Sequence, residues 1–104
     1  MQALARHTHL LTELMTSPVA GPGTETVLYE SLAMATVASV SGASRALGVR
    51  SAAGVVRNHV TGLETRFNGE VARAAAGLTR DRADEIVRRA VAEFEPLLAT
   101  RPVG

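Results

Sequence analysis

Apolar and polar positions keep a helical rhythm along most of this chain and lose it in one stretch. From Gln2 to Met15, residues Leu4, Leu11, Leu14 and Met15 recur at spacings that fit one helical face. Ser17-Pro18 closes the run, because proline pushes the residue before it out of the helical region. An N-terminal helix and turn over residues 1–18 is the expectation. The turn Gly21-Pro22-Gly23 follows, then Thr24, whose hydroxyl can cap a helix, and Glu25, which suits the positive end of the helix dipole. Val27 to Val40 is almost uniformly apolar or small. A helix apolar all round needs cover on more than one side.

The rhythm breaks between Ser41 and Val60, where Gly42, Gly48 and Gly54 punctuate the chain. "ALGVRSA" and "GVVRNHV" each fit a short strand or an extended loop, and two lone strands would need each other or another chain. Helical spacing returns with a capping box, Thr61 and Glu64, and with Leu63, Phe67, Val71 and Leu78 up to Gly77. Thr79 then caps a helix with an apolar stripe of Ala83, Ile86, Val87, Ala90, Val91 and Phe94. Asp84–Arg88 and Glu85–Arg89 form i,i+4 pairs on its outer side. Pro96 ends or kinks this helix, and Arg101 to Gly104 reads as a frayed tail.

Composition narrows what such a chain can do. At 104 residues it is one domain at most, and with 3% aromatics and no Trp its core is built from Ala, Val and Leu. Eleven basic residues, all Arg, against ten acidic ones leave a charge of +1, which argues for no nucleic-acid partner. The lack of Lys removes Schiff-base and P-loop lysine chemistry. Zero Cys removes thiolate nucleophiles and thiolate-bound metals and gives cytoplasm as the expected location. Met1 to Leu14 lacks the pattern of a secretory signal, and no apolar run reaches the ~20 residues of a membrane span.

Candidate chemistry is sparse. His7 and His9 would point about 200° apart on a helix, and with only His59 besides they make no metal site. Glycines before Thr24 could offer amides to an anion, but neither G-x-G-x-x-G nor a P-loop is present, and helix initiation explains the turn. Glu25, Glu30, Glu64 and Glu70 are the carboxylates in apolar surroundings. Acid–base work would need two of them to converge, and spacing alone does not bring them together. Glu70 is explained by ion pairing with Arg66 and Arg73, and no G-x-S-x-G elbow supports hydrolase chemistry.

Three blocks go beyond helix grammar: "AGPGTETVLYESLA" (Ala20–Ala33), "GVVRNHVTGLETRFNGEVARAAAGL" (Gly54–Leu78) and "ADEIV" (Ala83–Val87). Together they resemble the C-terminal portion of the monomethylamine methyltransferase family, over roughly Val19 to Gly104. The middle block is the specific one, above all Thr61-Gly62, Glu64, Arg66 and Gly69 to Arg73. The resemblance implies a mainly α fold with at most a short β element, made of the last βα pieces of a (β/α)8 barrel. A whole barrel takes about 250 residues, too many for this chain. It implies a single truncated barrel-derived domain over residues 1–104, in which 19–104 is the methyltransferase-like region and the final strand lies near Arg45 to Ala52.

By the same resemblance the family activity is methyl transfer from a methylamine to a corrinoid protein. The substrate amine is held by a pyrrolysine far upstream of the matched region, and the family's glutamine and tyrosine before the loop proline are replaced here by Met15, Thr16 and Ser17. No catalytic, cofactor-binding or metal-binding residue carries over. The expected cobalt corrinoid sits on a partner protein, and the chain is inactive by itself. Expected partners are a second copy or a chain that completes the barrel. The alternative reading is a non-catalytic helical module for self-association or protein binding, suggested by the over-apolar second helix.

Overall fold

The structure is a computed structural model and describes residues 1–100 and 104. Its elements are α1 (Gln2–His7), β1 (Glu13–Thr16), α2 (Glu25–Val40), β2 (Arg45–Val49), α3 (Gly62–Ala75) and α4 (Arg80–Phe94). Short 3-10 turns run over Ala52–Gly54 and Glu95–Thr100. The fold is mainly helical, with one two-stranded parallel sheet. β1, α2 and β2 make a βαβ unit, the arrangement that parallel strands require because a tight turn cannot join them.

The first helix is shorter than its periodicity predicts. α1 stops at His7, where the Thr8 hydroxyl donates to the Leu4 carbonyl at 2.7 Å and accepts the Leu10 amide at 3.2 Å, turning the backbone outward. Six residues with no buried side chain make a marginal helix. Glu13 to Thr16, expected to end that helix, is instead strand β1. Its register pairs Glu13 with Arg45, Leu14 with Ala46 and Thr16 with Val49, with one extra residue accommodated on β2. Pairing with residues 32 positions away outweighs local spacing here.

β2 takes in Arg45 and the first four residues of "ALGVRSA" (Ala46–Val49), and it corresponds to the strand implied near Arg45–Ala52. The second candidate strand, "GVVRNHV", is not one: Val55 to Val60 runs through turns and bends, with Val55 82% exposed. The two candidate strands therefore do not pair with each other: β2 pairs with β1 instead.

α2 starts where Thr24 caps it, accepting the Val27 amide at 3.3 Å and donating to the Gly21 carbonyl at 2.7 Å. It packs on α3, on α4 and on both strands, the multi-sided cover that its apolar sequence demands. Small residues at the contacts, Ser31, Ala33, Ala35 and Ala38, allow close approach of the neighbouring elements. α4 lies on α2 through buried Ala83 and Ala90, capped by Thr79. Tyr29, the one tyrosine, borders the α2–α4 groove beside Ile86 and Ala90. α4 ends at Phe94, just ahead of Pro96 as predicted, and Arg88–Asp84 and Arg89–Glu85 pair on its outer side. Of the frayed tail expected at Arg101–Gly104, residues 101–103 lie outside the described residues, and Gly104 is exposed.

α3 turns an unexpected face inward. Its capping box forms as predicted, but the buried residues are Glu64, Asn68, Val71 and Ala75, while Leu63 is 61% exposed. Two polar side chains thus occupy core positions that an apolar count would give to Leu63 and Phe67. Each is hydrogen-bonded, as burial requires. Asn68 Nδ2 donates to the Leu47 carbonyl at 3.0 Å, and Thr16 Oγ1 donates to Asn68 Oδ1 at 2.8 Å. One amide side chain therefore fastens both strands to α3.

Candidate functional site

Both strands point their C-terminal ends the same way, since they are parallel, so the loops 17–24 and 50–61 lie at one end of the sheet. Backbone hydrogen bonds tie these loops together. The Arg50 amide donates to the Thr16 carbonyl at 2.8 Å, Ala52 to Ala20 at 2.8 Å and Ala53 to Pro18 at 2.7 Å. The cross-ties hold a left-handed turn, Ala52 (φ 51°), Ala53 (φ 53°) and Gly54 (φ 73°). Left-handed alanines are strained, by about 1–2 kcal/mol each, and survive only where their surroundings fix them.

Two of the four carboxylates singled out in the sequence belong to this loop end. Glu30 on α2 is 2% exposed, and its oxygens accept the Val19 amide at 2.6 Å and the Ala20 amide at 3.0 Å. Glu64 on α3 is fully buried and accepts the Gly23 amide at 3.2 Å and the Thr61 amide at 2.9 Å, with the Thr61 hydroxyl also on Oε2. Burial pushes the Glu64 carboxyl up. The Thr61 hydroxyl and the amides of Thr61, Glu64 and Gly23 outweigh that and hold it below its ordinary value of 4.5. These carboxylates act as acceptors that shape the two loops. The glycine turn before Thr24 therefore directs an amide to an internal carboxylate, in keeping with the helix-initiation reading.

The other two lie elsewhere or on the surface. Glu25 is exposed at the first position of α2 and shares a cleft of about 200 Å³ with Glu64, together with Leu28 and Leu63. Glu70 is paired on the surface with Arg66 at 2.8 Å, as predicted, while Arg73 does not join them among the described residues. His7 ends α1 and His9 lies in the extended link beyond it, so the helical argument that separates their rings does not reach His9. Among the described residues no group of three His, Cys, Asp or Glu is placed to hold a metal ion, and no helix is long and apolar enough to cross a membrane.

The loop after β2 frames a second cleft, of about 320 Å³, lined by Arg50, Ser51, Gly54, Arg57, Asn58 and His59 among others. Sequence reasoning did not single out Arg50, Ser51 or Arg57. The signal available was a basic residue on either side of Gly54, inside a segment rich in small residues.

The loop end just described is where barrels built from βα units carry their chemistry. A profile of the family "Monomethylamine methyltransferase MtmB" matches residues 1–104, so the match takes in the first eighteen residues as well as 19–104. Monomethylamine methyltransferase MtmB2 of Methanosarcina acetivorans is 40% identical over 97% of this chain, and MtmB of Methanosarcina mazei is 38% identical over the same share. Among solved structures, the crystal structure of Methanosarcina barkeri MtmB superposes with a TM-score of 0.92 at 38% identity over 97% of the chain. The hydroxylamine complex of MtmB gives the same values. The chain spans 22% of the length of these relatives, whose fold is a TIM barrel, and corresponds to their C-terminal part. This chain belongs to the monomethylamine methyltransferase MtmB family.

Proposed function

We propose that the chain forms the closing wall of a barrel that transfers a methyl group from monomethylamine to the cobalt of a corrinoid held by a separate protein, in the cytoplasm. The observation that carries this reading is the superposition on MtmB with a TM-score of 0.92 over 97% of the chain. In this reading Glu30 and Glu64 hold the barrel mouth in shape. The groups that bind the amine come from the part of the barrel outside the 22% matched here, so the chain by itself transfers no methyl group. Its complement is the preceding strands of the barrel, which would pair with both outer edges of the β1–β2 sheet.

The test is cobalt methylation followed by absorbance, with monomethylamine and the reduced corrinoid protein. The isolated chain is expected to give none. Co-expression with the remaining barrel portion of a Methanosarcina relative is expected to give turnover, and to lose it when this chain is omitted. Turnover by the isolated chain, or none after complementation in a stable complex, would overturn the reading.

A second reading, a non-catalytic module for self-association or protein binding, is favoured by one feature. Leu10, Leu11 and Met15 are 64%, 84% and 46% exposed, along and just before β1, whose other edge has no strand among the described residues. Self-association would show in the sedimentation of the isolated chain as a dimer or larger species that Leu11→Arg disperses.

A further inference from the structure

We propose that the cleft at the C-terminal end of β2 binds an oxyanion of the phosphate class, with Arg50 and Arg57 supplying charge and Ser51 a directional donor. The cleft, about 320 Å³, is large enough for a phosphate ester, and among the described residues none that lines it is acidic. Neither Arg50 nor Arg57 is paired with a described carboxylate, in contrast to Arg45, Arg66, Arg82, Arg88 and Arg89. A guanidinium offers a planar fork of donors that matches phosphate oxygens.

Two independent features indicate that the loop is built around these groups. Gly54 leaves room for the Arg50 side chain: a Cβ at that position would stand 2.6 Å from Arg50 Cδ and 2.8 Å from its Nε. The arginine stem therefore lies across a gap that only glycine provides, on a turn whose left-handed backbone is fixed by the ties to Ala20 and Pro18. The second feature is Ser51, 2% exposed, whose Oγ has no hydrogen-bond partner. A buried hydroxyl left unpaired is destabilising. Ser51 lines the cleft but its Oγ is closed to solvent, so donation to an oxyanion there takes a rotamer change of that side chain. Strain and an unsatisfied donor in one loop, at the end of a barrel strand, are the marks of a ligand clamp.

The site stands apart from the methyl-transfer reading, because inorganic phosphate alone tests it. In ¹⁵N-resolved titrations of the full chain at constant ionic strength, phosphate is expected to shift the amides of Ser51 to His59 and the Nε signals of Arg50 and Arg57, saturably, where chloride does not. Arg50→Gln and Arg57→Gln, both at exposed positions, should each weaken binding at least about fivefold. Gly54→Ala keeps every charge but displaces the Arg50 stem and strains the left-handed backbone that carries it, and should weaken binding several-fold, as should Ser51→Ala. Shifts that do not saturate, that spread equally to Arg6, Arg73 and Arg80, or that survive Gly54→Ala and Arg57→Gln unchanged would overturn the site.

A competition arm identifies the source of the group. Displacement of phosphate by cobalamin, which carries a phosphodiester, but not by cobinamide, which lacks it, would assign the site to the partner's corrinoid. Saturable phosphate binding that neither corrinoid displaces would assign it to a free phosphate ester. Only the corrinoid arm rests on the proposed function, and its failure leaves the phosphate result standing.

Discussion

Glu64 and Gly23 are 41 residues apart in sequence and 3.2 Å apart across a hydrogen bond. The same carboxylate closes the capping box of α3 on Thr61, so one side chain sets the start of a helix and the path of the loop after β1. A residue that serves local and distant partners together ties the entry of α3 to the loop after β1.

The folded-state pKa of Glu64 lies below its unfolded value, so its contribution to stability is complete above about pH 4.5 and is lost as pH falls through the folded value. Urea midpoints measured from pH 7 downward should drop below about pH 4.5 in the parent chain. Glu64→Gln should have a lower midpoint at pH 7 and a flatter profile in that acid range. Equal slopes in the two proteins would contradict the assignment.

Asn68→Ala should cost about 2–3 kcal/mol in denaturant unfolding, since it leaves the Thr16 hydroxyl and the Leu47 carbonyl without the partner that now joins them. Asn68→Asp should cost more at pH 7, because a carboxylate brings an acceptor against the Leu47 carbonyl where a donor is needed. An aspartate variant more stable than the alanine variant at that pH would refute the clasp.

Ser31, on α2, is wholly buried and its Oγ has no hydrogen-bond partner. Ser31→Ala removes a polar atom that gains nothing from folding, and is expected to raise stability by about 1 kcal/mol, seen as a higher melting temperature in calorimetry. A fall would mean that the hydroxyl has a partner in solution.

Ala53→Gly trades a left-handed alanine, strained by about 1–2 kcal/mol, for a glycine whose unfolded chain costs about 0.5–1 kcal/mol more to order. A net gain of about 0.5 kcal/mol is expected, whereas Ala53→Val should lower the midpoint because a β-branched residue resists that backbone region. Chemical unfolding of the three proteins side by side distinguishes these signs.

The features legible in the sequence are those whose partners lie within one helical turn. Thr24, Thr61 and Thr79 cap their helices as read, because each hydroxyl meets an amide two or three residues on. β1 was not legible. Leu11, Leu14 and Met15 sit at spacings that a helix also satisfies, and what makes Glu13–Thr16 a strand is β2, beyond the reach of a local pattern. The inward face of α3 escaped for the same reason, since Glu64 and Asn68 are buried to serve Gly23, Thr16 and Leu47, all far away in sequence. The cleft beside β2 was missed because a loop that returns on itself carries no periodicity, and only Gly54 between two arginines hinted at it.

The parallel pair β1–β2 has consequences for assembly that go beyond its contacts. A strand added outside either member satisfies that edge only to present a new one, so stepwise addition has no natural end and tends toward filaments. Closure into a ring is the one outcome that removes both edges at once. In an eight-stranded ring the two strands among the described residues leave six more to be paired, and only all six together remove both edges. A partly closed ring keeps two edges however many strands it has, so no partly closed form matches the closed one in stability.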